Sequence, residues 1–120
     1  MRLHELDARF VKVHVGASDE HFPNGRPSME YIETLADADG VWFLCPKCFE
    51  ANKGPVGTHM VGCYFVGKVP DWLDPKPGRW NPSGTGLDNL TFVPPGAVSV
   101  LLTAGCGWHG FVRNGEATLS

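Results

Sequence analysis

Residues 10–15, Phe-Val-Lys-Val-His-Val, alternate so that Val11, Val13 and Val15 share one face and Lys12 and His14 the other. That is the two-residue period of a half-buried strand. Gly16, Pro23, Asn24, Gly25 and Pro27 mark residues 16–28 as a loop. Residues 29–38 fit two patterns. Met29, Ile32, Leu35 and Ala36 suit a short amphipathic helix, whereas Tyr31-Ile32-Glu33-Thr34 suits a strand. We read a strand followed by a turn at 37–40. The apolar run Val41-Trp42-Phe43-Leu44 has the length of a buried strand and stops at Cys45. Residues 49–57 contain Asn52, Gly54, Pro55 and Gly57 and read as a loop, and residues 58–66 as a strand.

The second half is more broken. Residues 67–86 hold Pro70, Pro75, Pro77, Pro82, Gly78, Gly84 and Gly86, which predicts a long irregular connection. It is no domain linker, because too little chain lies on either side for two cores. Leu90-Thr91-Phe92-Val93 is a short strand, Pro94-Pro95-Gly96 a turn, and residues 98–103 a strand running toward Cys106. Residues 111–113 and 116–119 flank Asn114-Gly115, the pair that a type I′ hairpin turn favours.

The chain of 120 residues carries 15 Gly and 10 Pro, which favours short strands and turns over long helices. The expectation is one mainly β domain with long Pro/Gly-rich loops, in which residues 1–28 supply a strand and loop to the same unit as residues 29–120. The net charge is −3 and no run of Lys or Arg is present, so a broad nucleic-acid-binding face is disfavoured. The first residues, Met1-Arg2-Leu3-His4-Glu5-Leu6-Asp7, carry charge throughout, and no segment approaches the roughly 20 apolar residues of a membrane span. The expected location is the cytoplasm, where disulfides are rare and paired cysteines point to metal or redox chemistry.

Two motifs carry candidate chemistry: Cys45-Pro46-Lys47-Cys48 and Cys106-Gly107-Trp108-His109. Each offers two ligands three positions apart, and on a tight turn both can reach one ion at about 2.0–2.3 Å. Pro46 presets the first turn, and Gly105, Gly107 and Gly110 loosen the second. Three thiolates and one imidazole form a tetrahedral set suited to Zn2+. Each pair follows a predicted strand, the layout of a zinc knuckle, so a zinc-ribbon-like core with Cys45, Cys48, Cys106 and His109 as ligands is expected.

Other readings stay open. The four residues also suit buried thiols and an ordinary histidine. Cys45 and Cys48 alone suit a thioredoxin-like redox pair, although Gly54-Pro55 leaves at most two turns of helix after them. His59 and Cys63 are left over as an alternate fourth ligand, a nucleophile–base pair or neither; in a strand they lie about 13 Å apart. The zinc deaminase pattern needs His-x-Glu, which the chain lacks. Among the tryptophans, Trp42 reads as core, Trp108 as a cover for the metal, and Trp72 and Trp80 as loop aromatics packed on the core.

The run Asp39-Gly40-Val41-Trp42-Phe43-Leu44-Cys45-Pro46-Lys47-Cys48, with residues 105–112 and Asn114-Gly115-Glu116, resembles small phage and prophage proteins of unknown function. In that group a Cys-x-x-Cys follows a strand and a Cys-x-x-His precedes a terminal hairpin. The resemblance covers residues 30–119 and implies a metal-binding β-rich domain without an assigned activity. The expectations are therefore a structural Zn2+ whose removal costs the tertiary structure, action through a protein partner in the host cytoplasm, and no catalysis. A nucleic-acid-binding ribbon, with Lys47, Lys53 and Arg113 as its basic face, and a small zinc or thiol enzyme are the alternatives.

Overall fold

The computed structural model describes residues 1–76, 78–103 and 105–119. The alternation at the start of the chain forms β1 (Arg9–Val15), which pairs antiparallel with β2 (Pro27–Ile32), Phe10 lying opposite Ile32. The segment that fits both helix and strand is thus a strand, and it begins two residues earlier than its apolar residues suggest. A single 3₁₀ turn (Leu35–Asp37) follows it. The apolar run forms β3 (Gly40–Leu44), which pairs with β1 on one side and β4 (Met60–Tyr64) on the other. The first sheet therefore has the order β2-β1-β3-β4, with β4 at an edge. Asp39 fixes the entry to β3: its carboxylate accepts the Val13 amide at 2.9 Å and lies 3.9 Å from Lys12 Nζ.

The expected loop at 49–57 begins instead as a helix, α1 (Pro46–Asn52). Pro46 sits in its first turn, where a missing amide costs nothing, and Lys53 ends it in the left-handed conformation at φ 56°. Further on, β5 (Asn81–Ser83) pairs with β6 (Thr91–Val93), so the long connection contains one short strand. Pro77, one of the residues that predicted it, lies outside the described residues. The last sheet is β7 (Ser99–Leu101), β8 (His109–Arg113) and β9 (Glu116–Ala117), in that order. Asn114 (φ 49°) and Gly115 (φ 78°) join β8 to β9 with the two positive φ angles that the turn requires. A side chain at Gly115 would also collide with the Asp88 carbonyl.

One apolar core joins the first and last sheets. Phe43 from β3 meets Trp108 edge-on, with ring centroids 5.9 Å apart. Val41, Cys63, Phe65, Val100 and Val112 are buried in the same cluster. The N-terminus closes it: Leu3 and Leu6 are fully buried, and the Leu3 amide donates to the Gly115 carbonyl at 2.9 Å. Leu3, Leu6, Ala8 and Phe10 thus share one cluster with the rest of the chain. Trp80 is also buried in the main core, whereas Trp42 and Trp72 are half-buried against a smaller cluster of Val11, Tyr64 and Leu73.

Candidate metal centre

Four donors converge where the two larger sheets meet. Cys45 follows β3 directly as the N-cap of α1, and the first turn of α1 carries Cys48 back toward it, with the Phe49 amide donating to the Cys45 carbonyl at 2.8 Å. The β3–β4 register, Leu44 opposite Met60, continues one step so that the Cys45 amide donates to the His59 carbonyl at 2.9 Å. His59 is therefore held beside Cys45 by sheet pairing alone. Cys106 comes from the β7–β8 turn, where Gly105 (φ 65°) and Gly107 (φ 68°) take left-handed conformations on either side of it. The Leu102 amide closes that turn on the Trp108 carbonyl, and Lys47 Nζ ties it to α1 by donating to the Cys106 carbonyl at 2.8 Å.

The separations fit a tetrahedral ion. One donor atom from each of Cys45, Cys48, His59 and Cys106 lies within 4.8 Å of all the others. Cys45 Sγ is 3.5 Å from Cys106 Sγ, and His59 Nε2 is 3.4 Å from the same sulfur. With Zn–S near 2.3 Å and Zn–N near 2.0 Å, the edges of a regular tetrahedron are about 3.8 Å for S–S and about 3.5 Å for S–N. Nδ1 of His59 lies 3.2 Å from the Met60 carbonyl. The tautomer that donates there leaves the Nε2 lone pair facing the sulfurs, as metal-bound imidazoles do.

The thiols differ in environment. Burial pushes Cys45 up to about 11, with its bond to Cys106 adding to the rise against the amides of Cys48 and Lys47. Burial, then the Cys106 thiol, also raises Cys48. Burial acts upward on Cys106 too, but there the His59 ring, the Trp108 amide and the other two thiols outweigh it and bring it down to about 6. A redox pair needs an acidic, accessible attacking thiol. Within Cys45-x-x-Cys48 both thiols are raised, and the acidic one belongs to the distant turn.

The structure brings together three of the four residues expected from spacing. His109 is not among them; His59 stands in the fourth position. Successive residues of an extended chain point to opposite faces. Trp108 points inward, buried against Phe43 with its indole N–H donating to the Thr118 carbonyl at 2.9 Å. His109 therefore points outward, exposed at the start of β8 and tilted against Phe111 at 6.1 Å. Trp108 belongs to the core. Cys63 is fully buried opposite Val41, its thiol raised by burial, and is a core residue. The Cys45–Cys48 pair lies at a strand–helix junction, unlike the strand–turn knuckle expected for it.

The fold and the site thus define a small mainly β domain with a Cys3His cluster able to hold a metal ion. No protein-family model, curated protein sequence or solved structure matches the chain. No helix among the described residues is long and apolar enough to cross a membrane.

Proposed function

We propose that the chain is a zinc-stapled accessory domain that works by contact with a protein partner, its Zn2+ structural and held by Cys45, Cys48, His59 and Cys106. The observation that carries this is the convergence of four donors from three separate segments: the β3–α1 junction, the start of β4 and the β7–β8 turn. An ion placed there crosslinks the two larger sheets. Thiolate and imidazole select Zn2+ over hard cations, and four protein ligands leave no position for a reacting water. The phage or prophage setting and the cytoplasm remain the expected context for such a domain. The net charge of −3 favours a protein partner over nucleic acid.

Substitution with Co2+ tests the closed shell. The expected product is one Co2+ per chain with the absorption of a tetrahedral thiolate site, unchanged by azide. Bands that shift on adding azide would reveal an open coordination position and replace the structural reading with a catalytic one.

A further inference from the structure

Beside the metal centre lies a groove of about 630 Å³, walled by β4 on one side and β7 on the other, with Trp80 lining it. Both walls are edge strands. Their hydrogen-bonding groups can be assigned from the register. On β4, the Tyr64 carbonyl accepts the Trp80 amide at 3.0 Å, facing away from β3. By the two-residue period, Gly62 and Met60 also turn their amides and carbonyls outward. On β7, the Leu102 amide is committed to Trp108 across the sheet, so Ser99 and Leu101 face away from β8. The Ser99 carbonyl accepts the Trp80 indole N–H at 2.9 Å.

One end of this gap is already filled in strand fashion. Trp80 forms isolated bridges to Phe65 and to Ala97, with the Val66 amide donating to the Trp80 carbonyl and the Ala97 amide to the Arg79 carbonyl, both at 2.9 Å. The gap at that point therefore has the width of one extended chain. The bridge to Phe65 is parallel, so the chain before Trp80 runs beside β4, where Pro75, Lys76 and Gly78 line the groove, and the first half of β4 has no strand partner on its outer side among the described residues. Met60 to Cys63 spans about 10 Å at strand rise, room for about three residues of extended chain.

The rims are apolar. Of the eight exposed large hydrophobic residues among those described, Met60, Val66, Val98 and Leu101 lie on or next to these two edges. The charged side chain at the groove is Lys76, about half exposed and 3.9 Å from the still more exposed Asp74, a pairing too solvated to neutralise it. No carboxylate lines the groove among the described residues.

We propose that this groove binds a short extended segment of a partner protein, which adds as a strand to the outer edge of β4. Its alternate apolar side chains pack toward Trp80 and Leu101, and an acidic residue meets Lys76. Main-chain pairing supplies affinity and the alternating positions supply selectivity. The proposal rests on the protein-contact reading above and gives it a place and a ligand class. His59 stands at the start of β4 and is a candidate zinc ligand, so the ion would hold the head of the receiving strand.

The test uses the zinc-loaded full chain. A displayed library of random linear nonapeptides is selected on it, and an enriched synthetic peptide is then titrated while backbone amides are followed by NMR. The expected consensus alternates apolar positions beside an acidic residue. Shifts and slowed hydrogen exchange are expected at Met60 and Gly62. Leu101→Asp, at a residue 59% exposed, should fold as wild type and weaken binding at least tenfold; Met60→Glu, at 40%, should do the same. Peptides whose shifts cluster elsewhere, or which bind Leu101→Asp equally well, overturn the groove and leave the contact reading standing. A library that yields no binder overturns the extended-segment groove and leaves the contact reading standing. A dimer of the free chain that Leu101→Asp dissolves would assign the groove to a second copy and overturn the peptide.

Discussion

Removing the ion should lower the melting temperature by about 15 °C without erasing the fold. Cys45 and Cys106 are 61 residues apart. An ion that joins them only in the folded chain stabilises it by RT ln(1 + [Zn2+]/Kd), about 4 kcal/mol when free Zn2+ is about 1,000 times its Kd. A domain of this size has a net stability on the order of 6–18 kcal/mol and an unfolding entropy of about 0.25 kcal/mol/K near its midpoint. Losing about 4 kcal/mol therefore moves that midpoint by about 15 °C. The apolar cluster runs from Phe43 to Trp108 and on to Leu3, and supplies burial of its own beside the candidate ligands Cys45, Cys48 and Cys106. The expectation from sequence is stronger, that metal-free protein loses its tertiary structure, and the same melting experiment decides between the two. Scanning calorimetry of the zinc-loaded protein, with and without a strong chelator and under a reductant, measures the shift. A midpoint that moves by less than about 5 °C at that Zn2+ excess would refute the site, because an ion bound only by the folded chain must raise the midpoint.

Other consequences are equally accessible. In metal-free protein at pH 7, iodoacetamide should modify Cys106 first and Cys63 last, as read by peptide mass spectrometry. The Cys106 rate should fall as pH drops below about 6, since its reactive thiolate is the form present above that value. Zn2+ should protect Cys106, Cys45 and Cys48 together. Trp108→Ala removes a fully buried indole and its bond to Thr118 and should cost about 3–5 kcal/mol in urea unfolding, with the metal still bound in the folded fraction.

Much of this architecture is legible along the chain, and its limits have physical causes. The alternation of residues 10–15, the apolar run before Cys45 and the Asn-Gly turn each mark a strand or hairpin that is present. The helix after Cys45 is harder to read, because Asn52, Gly54 and Pro55 mark its end and obscure its seven residues. Three of the four candidate ligands follow from Cys-x-x-Cys and the glycine-flanked Cys106. The fourth does not, because Cys106-x-x-His109 matches a knuckle spacing while the burial of Trp108 turns its neighbour outward. A usable signal lay in strand pairing. Folding residues 58–66 back on the run before Cys45 sets His59 beside that cysteine, and the Leu44–Met60 register does so here. Distance along the sequence hides what the register makes adjacent.

The central claim is that His59, and not His109, completes the metal centre. Elemental analysis of the purified protein and its two alanine variants tests it most directly. The account predicts one Zn2+ per chain in the wild type and in His109→Ala, and zinc lost or readily stripped by mild chelation in His59→Ala. Full zinc in His59→Ala together with its loss in His109→Ala would contradict it.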